Sequence, residues 1–293
     1  METEKAREIG FCFGVRRAID LLEEAAREHG TVETLGAVVH NRVVIEELAR
    51  GGVRIADSLE DVKGNVIAIS SHGVGPQVLE QIRGRHLEVI DATCPRVRRA
   101  QRAARDLARS GFYVIVFGDA NHPEVKGVLG WAGGKGIACA DPERLSELDG
   151  MSGRIGILSQ TTQSHASFAA FAADILSRSL HQLREVRLVN TICQATRRRQ
   201  AAAIELARRH DLVIVVGGHS SSNTRRLAEA CAAVGAETHL VETAAEVDVS
   251  WLSGARSIGI AAGTSTPDSA IEEVIARLRE LDTALRQAQD TAS

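Results

Sequence analysis

The sequence predicts an α/β fold of mostly parallel sheets in three small α/β domains, and three observations carry that prediction. Short apolar runs alternate with amphipathic helical stretches along the chain, the pattern of βαβ units. Hydrophobic residues make up 44% of the chain but aromatics only 3%, so Val, Ile, Leu and Ala must fill the core, as in strands buried on both faces. Three segments also echo one another: Phe11-Cys12-Phe-Gly-Val-Arg-Arg-Ala18, Thr93-Cys94-Pro-Arg-Val-Arg-Arg-Ala100 and Ile192-Cys193-Gln-Ala-Thr-Arg-Arg-Arg199. Each sets a cysteine just ahead of a basic amphipathic helix, at spacings close to the length of one small α/β unit. The echo suggests a pseudo-threefold architecture with domains over 12–94, 95–192 and 193–281, flanked by terminal segments 1–11 and 282–293.

The clearest strands are Asn65–Ser70, Leu87–Ile90, Phe112–Phe117, Arg154–Leu158, Asp211–Val216 and Arg256–Ala261. Between them run helical patterns. In the first, Val15, Ile19 and Leu22 share one face, while Arg16, Arg17, Asp20, Glu23 and Glu24 take the other. Parallel sheets bind ligands beyond the carboxyl ends of their strands, so the polar loops there are where chemistry is expected. They read Ser70-Ser-His-Gly73, Gly118-Asp-Ala-Asn-His-Pro-Glu124, Ser159-Gln-Thr-Thr162, Gly217-Gly-His-Ser-Ser-Ser-Asn223 and Ala262-Gly-Thr-Ser-Thr-Pro267.

Composition excludes several classes. The 293 residues carry 35 basic and 38 acidic side chains, a formal charge of -3, which argues against a polybasic nucleic-acid binder. A charged N-terminus without an apolar stretch, and no apolar run near the roughly 20 residues that span a bilayer, predict a soluble, cytoplasmic protein with no membrane partner. The five cysteines are an odd number in such a chain, which disfavours a disulfide framework. Gly10 to Gly14 precedes a helix but lacks the glycine pattern and later acid of a dinucleotide site.

Helix N-termini favour thiolates, so Cys12, Cys94 and Cys193 are candidate ligands, whereas Cys139 and Cys231 lie in apolar or helical runs and read as small buried hydrophobes. No CxxC pair is present, and a metal site must be assembled from distant segments. Three thiolates can hold three irons of a cubane cluster and leave the fourth open; buried structural thiols are the plainer alternative.

The loops offer His40, His72, His122, Thr161, Thr162, Ser221, Ser222, Asn223 and Ser265, a donor set suited to phosphate or diphosphate beside a helix beginning near Ser222. Simple N-capping accounts equally for Ser221 and Asn223, a helix start for Ser265, and loop hydrogen bonding for His40 or His72. Glu124 is the candidate proton donor, against the plainer reading of a solvated loop charge. The basic runs Arg96–Arg105 and Arg197–Arg199 read as exposed helix faces, with a docking surface for a redox partner as the second option.

Taken together, Gly10–Ala18, His40-Asn41, Ser71–Val74, Asp91–Pro95, Phe117–Val125, Ser159–Thr162, Thr191–Thr196, Ser221–Asn223 and Gly263–Pro267 resemble the LytB-type 4-hydroxy-3-methylbut-2-enyl diphosphate reductases. These enzymes close the non-mevalonate isoprenoid pathway. The match runs in order from about residue 9 to about residue 280; Ser220 and Thr264 depart from residues common in the family. The resemblance implies a trefoil-like arrangement around a central [4Fe–4S] cluster held by Cys12, Cys94 and Cys193, with one open iron. It implies two-electron, two-proton removal of the allylic hydroxyl, giving isopentenyl and dimethylallyl diphosphate plus water, with reduced ferredoxin or flavodoxin as electron donor. It further implies that His40, His72, His122, Ser221, Ser222, Asn223 and Ser265 contact the diphosphate, that Glu124 donates a proton, and that Thr161 and Thr162 orient the hydroxyl, Thr161 foremost. Two other readings stand beside it: a non-redox hydro-lyase using its cluster only as a Lewis acid, and a cluster-free paralogue that binds a phosphometabolite.

Overall fold

The computed structural model describes residues 2–141 and 153–292. Its strands are β1 (Glu2–Lys5), β2 (Val32–Leu35), β3 (Val53–Ala56), β4 (Val66–Ile69), β5 (Glu88–Asp91), β6 (Tyr113–Phe117), β7 (Gly136–Cys139), β8 (Arg154–Ser159), β9 (Glu185–Val189), β10 (Leu212–Val216), β11 (Glu237–Val241) and β12 (Ser257–Ala262). The helices are α1 (Phe13–His29), α2 (Arg42–Arg50), α3 (Pro76–Gly84), α4 (Pro95–Arg109), α5 (Pro123–Trp131), α6 (His165–Ser179), α7 (Gln194–Ala207), α8 (Ser222–Ala232) and α9 (Asp268–Ala292). Proline begins α3, α4 and α5, where its missing N–H costs no hydrogen bond.

By its contacts the chain forms two compact units, one of residues 1–13, 39–47 and 194–293, the other of 14–38 and 48–193. The first unit holds one four-stranded sheet, β11-β10-β12-β1, and the second holds two, β3-β2-β4-β5 and β7-β6-β8-β9. Every strand pairing is parallel. The three sheets share one plan: the first strand of each set lies second, between the second and third, and the fourth closes the edge beside the third. In the first unit that fourth strand is β1, drawn from the opposite end of the chain and paired with β12 from Glu2↔Ser257 to Lys5↔Ile260. Residues 1–11 read from sequence as a terminal segment, yet they complete the last repeat, so the repetition is circularly closed. Glu2-Thr-Glu-Lys5 gives no strand signal because an edge strand with exposed ends needs no apolar face.

All six strands expected from sequence are present to within a residue. Of the others, β1, β3, β7, β9 and β11 lie at sheet edges. β2 is internal but carries Glu33, whose carboxylate accepts the backbone N–H groups of Lys63 and Gly64 at 2.9 and 2.7 Å. Apart from β2, the central strands are mainly apolar because both faces are covered. In β10, Leu212, Ile214 and Val216 pack with Ile271, Val274 and Leu278 of α9, while Val213 and Val215 meet Leu206 of α7 and Leu227 of α8.

Candidate active site

The shared plan puts the polar residues at three equivalent places in each sheet: after the first strand (β2, β6, β10), after the third (β4, β8, β12) and after the fourth (β5, β9, β1). The cysteines follow the fourth. Cys94 is the N-cap of α4, Cys193 immediately precedes α7 and Cys12 immediately precedes α1. Their backbone attachment also repeats. The N–H of Cys94 donates to Ser71 O at 3.0 Å, that of Cys193 to Thr161 O at 2.9 Å and that of Cys12 to Thr264 O at 3.1 Å, each acceptor lying in the loop after the third strand of the same sheet. All three thiols are half-buried.

Cys139 and Cys231 are buried, as expected of small hydrophobes. Burial pushes the Cys231 thiol up to about 11, so it is protonated and unreactive near neutrality.

In the second unit, Glu124 sits in the first turn of α5 and is 2% exposed, not a solvated loop charge. Its carboxylate accepts from Thr161 N at 2.6 Å and from Thr161 Oγ1 at 2.8 Å. Burial raises its pKa above the ordinary glutamate value, and the two bonds from Thr161 only partly oppose that rise. One residue thus touches two chemistries: Thr161 holds the Glu124 carboxyl with its N–H and hydroxyl, and the backbone of Cys193 with its carbonyl. His122 caps α5 by accepting Glu124 N at Nδ1, 3.1 Å away, so the neutral ring carries its proton on Nε2. The His72 ring meets it edge-on at 5.3 Å between centroids, with Nδ1 3.4 Å from Ser70 Oγ. Thr162 Oγ1 is buried with no hydrogen-bond partner among the described residues.

In the first unit, Ser221 is the N-cap of α8, its hydroxyl accepting from Thr224 N at 3.3 Å, so the capping role expected of it is realised. Ser222, Asn223 and Ser265 are 8%, 4% and 5% exposed. Asn223 Nδ2 is a buried donor with no acceptor among the described residues, which N-capping does not explain. Ser265 precedes α9 by three positions and is not its first turn. His40 follows β2, and burial, then the neighbouring charge of Arg225, lower its pKa and keep the ring neutral. Its carbonyl fits against Gly218, where a Cβ would collide with it. Gly218→Ala is therefore expected to cost about 1–3 kcal/mol, read as a lowered denaturation midpoint.

Several contributors escape sequence reasoning. Asn41 caps α2 through Oδ1, which accepts from Val44 N at 3.2 Å, and leaves Nδ2 buried without a partner among the described residues. Thr191 binds both backbone groups of Ser159, pinning the segment before Cys193 to the end of β8. Arg199 is a correction. The run Arg197–Arg199 reads as an exposed helix face, but Arg199 is 4% exposed and its guanidinium donates to Ala262 O at 3.3 Å and to Gly10 O. It ties the end of β12 to the turn before Cys12. A period of 3.6 places residue 199 on the inward side of α7, and that periodicity was the signal to use. Arg199→Ala is expected to destabilise by about 3 kcal/mol, measured by urea unfolding, because two buried carbonyls lose their donor and a cavity opens.

A family model described as LytB protein matches residues 4–279. The chain is 50% identical over 281 residues to a 4-hydroxy-3-methylbut-2-enyl diphosphate reductase of Dehalococcoides mccartyi (strain CBDB1), covering 96% of this chain and 99% of that protein. It is 42% identical over 284 residues to the enzyme of that name from Geobacter metallireducens, covering 97% and 99%. Among solved structures, the E-1-hydroxy-2-methyl-but-2-enyl-4-diphosphate reductase from Plasmodium falciparum superposes with a TM-score of 0.87 at 26% identity, over 94% of this chain and 87% of that one. A structure of (E)-4-hydroxy-3-methyl-but-2-enyl diphosphate reductase gives 0.69 at 40% identity, over 96% and 100%. With that likeness along nearly its whole length, and with the cysteine and carboxyl positions above, the chain belongs to the LytB protein family.

Proposed function

We propose that this chain is an iron–sulfur reductase that removes the allylic hydroxyl of 4-hydroxy-3-methylbut-2-enyl diphosphate, yielding isopentenyl and dimethylallyl diphosphate and water. The observation that carries the reading is the thrice-repeated cysteine ahead of a helix, its backbone held by the preceding strand-end loop of its sheet. The donor chemistry fits the implied cofactor: three half-buried thiols, each beside the amide groups of a helix N-terminus, suit iron–sulfur ligation. Cys12, Cys94 and Cys193 would hold a [4Fe–4S] cluster with one iron left open to the substrate oxygen. When bound, that group supplies the electrons and the Lewis acidity for C–O cleavage.

The side chains do the rest. The Nε2–H of His122, the neutral ring of His40, the ring of His72, the hydroxyls of Ser221, Ser222 and Ser265, and the orphaned Nδ2 of Asn223 bind the diphosphate. Thr161 and Thr162 orient the substrate hydroxyl. Glu124, whose protonated form burial favours, delivers a proton to the departing oxygen. The two products differ only in which end of the allylic unit receives the second proton, for which the diphosphate is a near donor. The reading keeps the domain division 12–94, 95–192 and 193–281 with β1 added to the last, a cytoplasmic location, and reduced ferredoxin or flavodoxin as electron source. Among the described residues no helix is long and apolar enough to cross a membrane.

The test is anaerobic reconstitution followed by turnover with a chemical reductant and by Mössbauer spectroscopy with and without substrate. A brown protein that forms both products only when reduced, with one iron responding to the ligand, is expected. Iron without reductant-dependent turnover would make it a hydro-lyase. A colourless, iron-free protein would leave a phosphometabolite binder.

A further inference from the structure

The helix behind Cys94 is unlike the rest of this acidic chain. Between Pro95 and Arg109, α4 carries six arginines and one acid, Asp106, in a protein whose formal charge is -3. Its inward side is the apolar row Val97, Ala100, Ala104, Leu107 and Ala108, which leaves Arg98, Arg99, Arg102, Arg105 and Arg109 on the opposite side, with Arg96 exposed at the N-terminal end. Arg98 pairs with Asp91 at 2.7 Å and Arg105 with Asp106 at 2.9 Å. Arg96, Arg99, Arg102 and Arg109 are exposed, and none of them forms an ion pair within 4 Å among the described residues. Arginines on α9 show the contrasting habit, Arg277 pairing with Glu280 and Arg286 with Asp282. Six arginines against one acid on a single helix leave a net positive surface, and an anionic partner relieves the repulsion among them.

Beside this face lies a cavity of ≈ 250 Å³, where Arg98, Arg102 and Arg105 face the single carboxylate of Asp91 over a floor of Val74 and Trp131. Its dimensions suit an inserted acidic or amphipathic side chain. Thr93, adjacent to Cys94, lines the same cavity. Asp91 accepts from Thr93 N at 2.9 Å with one oxygen and from Arg98 with the other, so the docking face and the cysteine segment share a carboxylate.

We propose that the exposed face of α4 and its cavity form the docking surface for a small acidic one-electron carrier protein. The inference rests on the reductase reading, which needs an outside source of electrons. Two reduced carriers dock in turn and each gives up one electron. With two protons, the substrate's C–O bond breaks, a C–H bond forms, and the oxygen leaves as water. Complementary charge would speed encounter and orient the carrier over the N-terminal end of α4, where Cys94 sits.

The test uses the reconstituted holoenzyme and an acidic plant-type [2Fe–2S] ferredoxin. Arg99→Glu/Arg102→Glu should weaken ferredoxin binding, measured by calorimetry at low salt, by at least about tenfold. It should raise the KM for reduced ferredoxin similarly and leave dithionite-driven turnover unchanged. Raising salt from about 20 to 300 mM should weaken the wild-type complex and barely affect the variant. Arg277→Glu/Arg286→Glu on α9 changes net charge equally and should leave binding intact. Unaltered ferredoxin binding in the α4 variant, equal weakening by the α9 variant, or tighter wild-type binding of duplex DNA than of ferredoxin would each overturn the proposal. Loss of dithionite-driven turnover in the wild type would instead strike the reductase reading itself.

Discussion

Glu124→Gln is expected to lower kcat by at least about a hundredfold while leaving the KM for the diphosphate substrate nearly unchanged, the range typical for loss of a positioned general acid. Glutamine keeps the shape: its amide oxygen can accept from Thr161 N and its amide nitrogen can donate to Thr161 Oγ1, whose hydroxyl turns to accept, so the pocket is preserved and the transferable proton is lost. Steady-state kinetics on the reconstituted variant checks this, and unchanged kcat would remove Glu124 from the reaction. The raised pKa also fixes a sign for pH. In the wild type the acid form persists above the ordinary value of 4.5, and turnover falls as pH rises through the higher folded value. Stability moves the same way. The unfolded chain ionises this group first, so the folded state holds the extra proton and loses its advantage as pH climbs from 4.5 through the folded pKa. Glu124→Gln should therefore be the more stable protein, relative to wild type, at neutral than at acidic pH.

Cys12→Ser, Cys94→Ser and Cys193→Ser are each expected to lose most bound iron and reductase turnover, whereas Cys139→Ala and Cys231→Ala keep both. The physical distinction is position. The first three are half-buried and stand at the start of a helix, where the amide dipoles favour a thiolate and the thiol remains accessible. Cys139 lies at the end of β7 and packs with Ile115, Phe117 and Phe171, and Cys231 is sealed in α8. Removing the sulfur of Cys231 should cost only about 1 kcal/mol of stability. Iron analysis beside the visible spectrum separates the two groups, and full iron in Cys94→Ser would defeat the three-ligand assignment.

Five central strands and the edge strand β5, the helical segments between them, the parallel arrangement and the cysteine-before-helix echo were legible in the residue order. Each rests on a local rule: period 2 or 3.6, apolar runs where both sheet faces are covered, and caps where helices begin. The loops that carry the polar residues were legible for the same reason, since parallel strands must end on one side. The tertiary structure alone decided what has no local signature. It set Glu2–Lys5 beside β12, a pairing between chain ends that no window of sequence contains. It brought the carbonyls of Gly10 and Ala262 to the inward-facing Arg199, a pairing that the helical period alone does not give, and joined Glu124 to Thr161 across 37 positions. Burial is a sum over distant neighbours, so the elevated pKa of Glu124 and the orphaned amide of Asn223 arise only once those neighbours are in place.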